Sequence, residues 1–148
     1  MKRFLLSVSF LLVFLASSAS GAPNLVDIAE TATADQVRQA VQAGADANAL
    51  DSVGRSVLML AAAYNPDPAV ITALVKSGAK VNFRGSGGWT ALMMAAYANP
   101  NPAVVDALLA AGASGKLKSA AGYTAFSYAQ ENEKLKGTAA YTKLRAAQ

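Results

Sequence analysis

Residues 81–96 read Val-Asn-Phe-Arg-Gly-Ser-Gly-Gly-Trp-Thr-Ala-Leu-Met-Met-Ala-Ala, a glycine-rich segment followed at once by small and apolar residues that favour a helix. The same pattern occurs at Asn48 to Ala62, one period of about 34 residues earlier, and in weaker form one period later, at Lys116 to Gln130. A fixed period of this length is typical of a repeat array, in which neighbouring units stack to bury a shared core.

Two series of glycines follow this same period. In the first series each glycine ends an apolar segment and precedes an alanine, and in the second each glycine comes just before the start of a helix-forming run. The two series are Gly44, Gly78 and Gly112, and Gly54, Gly88 and Gly122.

Local signals assign two helices to each unit. Asp67-Pro68 and Asn101-Pro102 place a side-chain acceptor at the N-cap and a proline at the first helical position. The first glycine series then favours the left-handed conformation that ends a helix. The other helix begins near Ser56 or Thr90. The segment between the glycine that ends one pair and the first helix of the next pair is polar and glycine-rich. It predicts a protruding turn or hairpin, called a finger below.

These motifs resemble the ankyrin repeat, whose unit starts a helix with Gly-x-Thr-Pro-Leu-His-x-Ala-Ala and closes with a Gly-Ala-Asp-x-Asn turn. Gly54–Ala62 and Gly88–Ala96 match the helix start, and Gly44–Asn48 matches the closing turn. A tetratricopeptide or Sel1-like solenoid has a similar period but neither the finger nor this closing turn. An unrelated helical bundle is the remaining alternative.

The resemblance implies an all-α repeat solenoid, an ankyrin-like stack of about four helix-turn-helix units with protruding β-turn or hairpin fingers. We expect one domain over residues 22–148, with units at about 24–50, 51–84, 85–118 and 119–148. Val57 and Ala91 replace the family's proline, and Met59 and Met93 replace its histidine. Without that histidine, we expect the fingers to be held more by packing.

Composition restricts the class of function. Hydrophobic residues make up 53% of the 148 residues, which is enough for a buried core. The net charge is +4, and it falls to +2 without Lys2 and Arg3, because 13 − 2 = 11 basic residues then face 9 acidic ones. This weak excess argues against nucleic-acid binding. The absence of cysteine and histidine excludes disulfides, His-bearing triads and zinc sites built on those residues. We therefore expect no enzyme, metal or cofactor.

The N-terminal residues have the three-part pattern of a secretory signal peptide. Met1–Arg3 is positively charged, Phe4–Leu15 is apolar apart from two serines, and Ala16–Ala22 contains only small residues. The apolar run is shorter than the roughly 18 residues expected of a spanning helix. We expect residues 1–21 to be cleaved, with an uncleaved anchor as the alternative. The mature chain would then be periplasmic or secreted, without membrane insertion; a bacterial periplasm is favoured and a eukaryotic secretory route stays open.

The predicted binding residues follow the second glycine series. Arg55, Trp89 and Tyr123 each come directly after a finger glycine, so that stacking would align them in one exposed stripe. Tyr64 and Tyr97 are expected beside the stripe on the concave side. Arginine, tryptophan and tyrosine dominate interface hot spots, although Trp89 and Tyr123 could instead pack over the neighbouring finger. Further candidates at the fingers are Phe83, Arg84 and Leu50.

Other motifs have structural explanations. Gly85–Gly88 lacks the Lys-Ser/Thr pair of a phosphate-binding loop, so a finger turn explains it better. Glu131 and Glu133 lie beside Lys134 and Lys136 and predict a solvated helix face.

Together these patterns predict a non-enzymatic module, monomeric alone, that acts outside the cytoplasm. It would bind a partner protein through its concave face and fingers. The alternative is a small-ligand or cell-envelope glycan binder in which the same aromatic residues stack on the ligand.

Overall fold

The computed structural model describes residues 21–148, so nearly all of the predicted leader lies outside the described residues. These residues form eight α-helices arranged as four pairs, with one short 3-10 turn, and no strand is found among them. Within the same range, no helix has the length and apolar character needed to cross a membrane. The helices are α1 (Leu25–Ile28), α2 (Ala34–Gln42), α3 (Val57–Tyr64), α4 (Pro68–Lys76), α5 (Ala91–Ala98), α6 (Pro102–Ala110), α7 (Ala125–Ala129) and α8 (Ala139–Ala146).

The first helices of the pairs (α1, α3, α5 and α7) pack in series as an inner layer, and the second helices (α2, α4, α6 and α8) form an outer layer. Inner helices α3 and α5 are apolar on nearly every side, and every residue from Val57 to Ala63 is buried. Such a helix needs neighbours all round, which only a stack supplies. The prediction of an all-helical repeat solenoid is confirmed.

Each inner helix after the first begins at a hydroxyl cap. The side chains of Ser56, Thr90 and Thr124 accept hydrogen bonds from backbone N–H groups three residues further on. Outer helices α4 and α6 have the predicted Asp or Asn cap followed by proline. Gly78 and Gly112 follow these helices with φ of 97° and 93°, a conformation that side chains other than glycine rarely adopt.

Three buried asparagines connect the turns of successive helix pairs. Asn99 Nδ2 donates to the carbonyls of Ala62 (2.8 Å) and Asn65 (2.9 Å) in the preceding pair, and its Oδ1 accepts from the Asn101 N–H (2.9 Å). Asn65 and Asn132 make the equivalent bonds one pair earlier and one pair later. These three residues, called the asparagine ladder below, hold the pairs in register.

Each of the three fingers is a turn closed by the same type of backbone hydrogen bond. The N–H groups of Asp51, Gly85 and Ser119 each donate to the carbonyl four residues further on, all at 2.9 Å. In the first finger an isolated bridge also joins Leu50 to Ser56. Neighbouring fingers are held both by packing and by hydrogen bonds, since the Ala120 N–H donates to the Gly87 carbonyl at 2.8 Å.

The last helix pair differs from the prediction. Glu131 to Lys136 form turns rather than a solvated helix face, because Asn132 takes the ladder position and ends the helical path. The connection to α8 is longer than in the other pairs, and Leu135 within it is fully buried. Glu131 and Glu133 are exposed, as expected, and Glu133 pairs with Lys136.

Candidate interaction surface

Two adjoining pockets open where the inner helices meet the fingers, and Trp89 and Tyr97 line both of them. The first, of about 520 Å³, is called the acidic pocket; it is lined by Trp89, Tyr97, Tyr123, Ser127, Tyr128, Gln130 and Glu131. The second, of about 330 Å³, is called the apolar pocket; it is lined by Val53, Arg55, Met59, Ala63, Tyr64, Ser86, Trp89, Met94, Tyr97 and Ala98.

The wall between the pockets is an aromatic cluster. Trp89 stacks on Tyr128 with ring centroids 4.3 Å apart, and Tyr97 meets both rings edge-on at 5.9 and 6.1 Å. Tyr123 meets Tyr128 edge-on at 5.8 Å. Aromatic pairs in these geometries are each worth about 0.5–1.5 kcal/mol beyond the area they bury, so the cluster forms a firm wall.

Trp89 is half-buried rather than exposed, which corrects the expectation of a freely exposed stripe residue. Its backbone carbonyl closes the second finger by accepting from the Gly85 N–H. Its indole packs over Tyr128 and still lines both pockets. The Trp89 side chain therefore packs within the aromatic cluster and also forms part of the surface of both pockets.

Tyr128 is the central residue of the cluster, and it was not among the predicted binding residues. The signal was present in the sequence, because Tyr128 occupies the same place in its repeat as Met94 does one period earlier. Met94 is the one methionine of its helix that is only partly buried, and it lines the apolar pocket. Aligning the repeats at this position would have placed Tyr128 on the same face.

Arg55 is held in the wall of the apolar pocket by Asp51. Its Nε donates to Asp51 Oδ2 at 2.7 Å, and its backbone N–H donates to Asp51 Oδ1 at 2.8 Å. Burial opposes ionisation of Asp51, but the hydrogen bonds from Arg55 and Val53 and the charge of Arg55 outweigh it and lower the pKa of that carboxyl. Arg55 is thus fixed within its own finger.

The predicted residues divide into two groups. Five of them line the two pockets, and Tyr64, Tyr97 and Tyr123 are about half exposed, at 47%, 52% and 54%. The other three lie outside the lining. Phe83 packs against the core, Arg84 donates to the Lys118 carbonyl of the next finger at 2.7 Å, and Leu50 is 49% exposed beside its bridge to Ser56.

The polar groups of the two pockets are few and of simple kinds. In the range 21–148, no group of three or more acidic, histidine or cysteine side chains is placed to hold a metal ion. The polar side chains of the two linings supply hydroxyl groups, one indole N–H, one amide, one carboxylate and a guanidinium already paired. These groups are suited to recognising a ligand.

Comparison with known proteins agrees with this architecture. The family model for ankyrin repeats (3 copies) matches the chain at residues 25–119 and again at 62–138. No curated protein matches the sequence significantly. The chain belongs to the ankyrin repeat family, whose repeats are generally protein–protein interaction modules and typically non-enzymatic scaffolds.

Proposed function

We propose that this chain is a non-enzymatic interaction module that acts outside the cytoplasm and binds one partner protein across the two pockets. The observation that carries the proposal is the shared wall of Trp89 and Tyr97. It joins two pockets of different chemistry into one continuous surface. A protein segment presents side chains of different chemistry along its length, so such a surface suits it better than it suits a uniform ligand.

Two tyrosine side chains at or beside this wall are exposed and have few rotatable bonds. Tyr64 and Tyr97 stand about half exposed at the ends of α3 and α5, where each ring can lose further water on binding. Tyrosine has few rotatable bonds, so ordering it in a complex costs little entropy while burying a large area. Beneath them, α3 is buried from Val57 to Ala63, and most of α5 is buried as well, which gives the two rings a packed support.

The test is capture of a partner by immobilised residues 22–148 from the envelope or secreted fraction of the native host. Tyr97→Ser should reduce capture about tenfold or more, because a central aromatic anchor contributes about 2 kcal/mol. Lys76→Ala on outer helix α4 is the control and should leave capture unchanged. Tyr97 is preferred to Trp89 for this test because Tyr97 is 52% exposed and meets the other rings only edge-on, whereas Trp89 is half-buried and stacks on Tyr128 at 4.3 Å.

Two results would contradict the proposal. Equal capture by the Tyr97→Ser and Lys76→Ala variants would place the interface elsewhere. A saturable change in Trp89 fluorescence with purified cell-wall fragments, in the absence of any protein, would favour the glycan-binding alternative.

Export is a separate part of the proposal and rests on the charged, apolar and small-residue segments of residues 1–22. Full-length chain produced in a secreting host should lose the segment 1–21, and intact mass spectrometry would measure the loss. Leu12→Arg interrupts the apolar segment and should prevent the cleavage. Wild-type chain recovered from the cytoplasm at its full mass would refute export.

A further inference from the structure

The acidic pocket contains aromatic rings and a carboxylate but no basic side chain. Trp89, Tyr97, Tyr123 and Tyr128 supply the rings, and Glu131 supplies the negative charge. Aromatic faces carry negative electrostatic potential and attract cations. Both parts of the lining therefore favour a positively charged ligand group.

Glu131 is an exposed residue that lines this pocket. Its backbone N–H donates to the Tyr128 carbonyl at 3.1 Å in the turn after α7, which fixes where its side chain begins. Across residues 21–148, the ion pairs join other acidic residues, and none of them includes Glu131. By contrast, nearby Glu133 is paired with Lys136 and does not line the pocket.

The apolar pocket lacks this negative charge. Its charged residue is Arg55, which is already paired with Asp51, and the rest of its lining is largely aliphatic or aromatic. A cation entering there would find no free carboxylate, because the lining of this pocket contains no acidic side chain. The two pockets therefore discriminate, with an apolar group favoured in one and a cation in the other.

Among cationic groups, a guanidinium fits the acidic pocket best. It is planar and weakly hydrated, so it stacks on aromatic rings, and it can donate two hydrogen bonds at once to a carboxylate. An ammonium is more strongly hydrated and lacks the planar face. The volume of about 520 Å³ leaves room for the whole arginine side chain.

We propose that the acidic pocket binds an arginine side chain of the partner, stacked among Tyr97, Tyr123 and Trp89 and paired with Glu131. This inference rests on the proposed function for its biological meaning, since the arginine belongs to a partner protein. Binding of an arginine side chain, however, depends only on the residues of the acidic pocket. This binding can therefore be measured on the chain alone.

The experiment uses Trp89 as the reporter, because it is the single tryptophan of the chain and lines the pocket. Residues 22–148 are titrated at constant ionic strength with N-acetyl-arginine amide, and in parallel with N-acetyl-citrulline amide, which has nearly the same shape without the charge. The arginine compound should change the fluorescence saturably and bind about tenfold more tightly than the citrulline compound.

Matched variants test the role of the carboxylate. Glu131→Gln should weaken binding of the arginine compound by about tenfold and leave the citrulline compound unaffected, because a charge-assisted hydrogen bond becomes neutral. Glu133→Gln is the control and should change neither. Equal binding of the two compounds, no binding of the arginine compound, or an unaffected Glu131→Gln variant would overturn the inference.

The outcomes separate this inference from the proposed function. Arginine binding by the chain, combined with partner capture that Tyr97→Ser does not reduce, would retain the pocket and refute the interface. Partner capture that depends on Tyr97 but not on Glu131 would retain the interface and refute the arginine anchor.

Discussion

Replacing Asn99 with alanine would remove the side chain that joins the second and third helix pairs at their buried turns. Asn99 is fully buried and makes three hydrogen bonds through its amide. One of its acceptors, the Ala62 carbonyl, would be bonded in a continuing helix to the N–H four residues later. That residue is Pro66, which has no N–H, so Asn99 supplies the missing donor.

The expected cost follows from these partners. Two carbonyls beside the buried Asn99 side chain and the partly buried Asn101 N–H lose their hydrogen bonds. At about 1 kcal/mol net for each bond the total is about 3 kcal/mol, and it is larger if the groups stay unsatisfied. This is a large share of the roughly 5–15 kcal/mol that stabilises an ordinary domain. For a chain of this length it corresponds to a fall in Tm of roughly 10 °C.

The assay is urea unfolding followed by circular dichroism, with two matched variants. Asn99→Asp keeps an acceptor for Asn101 but sets oxygen against the two carbonyls, so it should cost at least as much as the alanine. Asn101→Ala removes a more exposed side chain two residues away, which caps α6 and donates to the Pro66 carbonyl at 2.7 Å, and should cost about 1–2 kcal/mol. If Asn99→Ala cost no more than Asn101→Ala, or if the aspartate variant were tolerated at neutral pH, the ladder would not stabilise the stack as argued.

Three further predictions concern the fingers. Gly85→Ala should destabilise the chain by about 2 kcal/mol in thermal unfolding, because its Cβ would lie 2.7 Å from the Gly54 carbonyl oxygen; an unchanged Tm would contradict that contact. Asp51→Asn should cost about 1 kcal/mol at pH 7. Because the folded pKa of Asp51 is lowered, its contribution is complete above the unfolded value of about 3.9 and is lost as pH falls through the folded value. The difference from wild type in urea titrations should therefore shrink below about pH 4, and a constant difference down to pH 2 would refute the Arg55 pairing. The half-buried Trp89 should emit at shorter wavelength in the native state than in urea, and identical spectra would contradict its packing.

Much of the fold could be predicted because its signals are local. The caps at Ser56 and Thr90, the Asp-Pro and Asn-Pro helix starts and the left-handed Gly78 each depend on a few adjacent residues. Their repetition at a fixed period then implies stacking. The prediction of a solvated helix face at Glu131 to Lys136 is wrong, because it rests on the charge pattern of these residues alone. A hydrogen bond from the Asn132 side chain to the preceding helix pair favours the turn over a continuing helix. Its acceptor is distant in sequence, so local patterns do not show it.

The candidate site could be predicted in part. The repeat register was enough to indicate Arg55, Trp89, Tyr123, Tyr64 and Tyr97, all of which line the two pockets. Tyr128 and Glu131 were not indicated as binding residues, since their role depends on which rings and charges meet them across the stack. The assignment of all these residues to binding stays a prediction.

Local sequence signals are enough to predict the repeat period and, in the second and third helix pairs, where the helices begin and end. These features follow from hydrogen bonding and backbone conformation within a few residues of each other. The packed stack was needed to show how Asn99 satisfies the Ala62 carbonyl, why Trp89 is half-buried, and that Glu131 adjoins four aromatic rings. Those outcomes depend on contacts between residues of successive repeats, whose distances are set by the packing of one helix pair on the next.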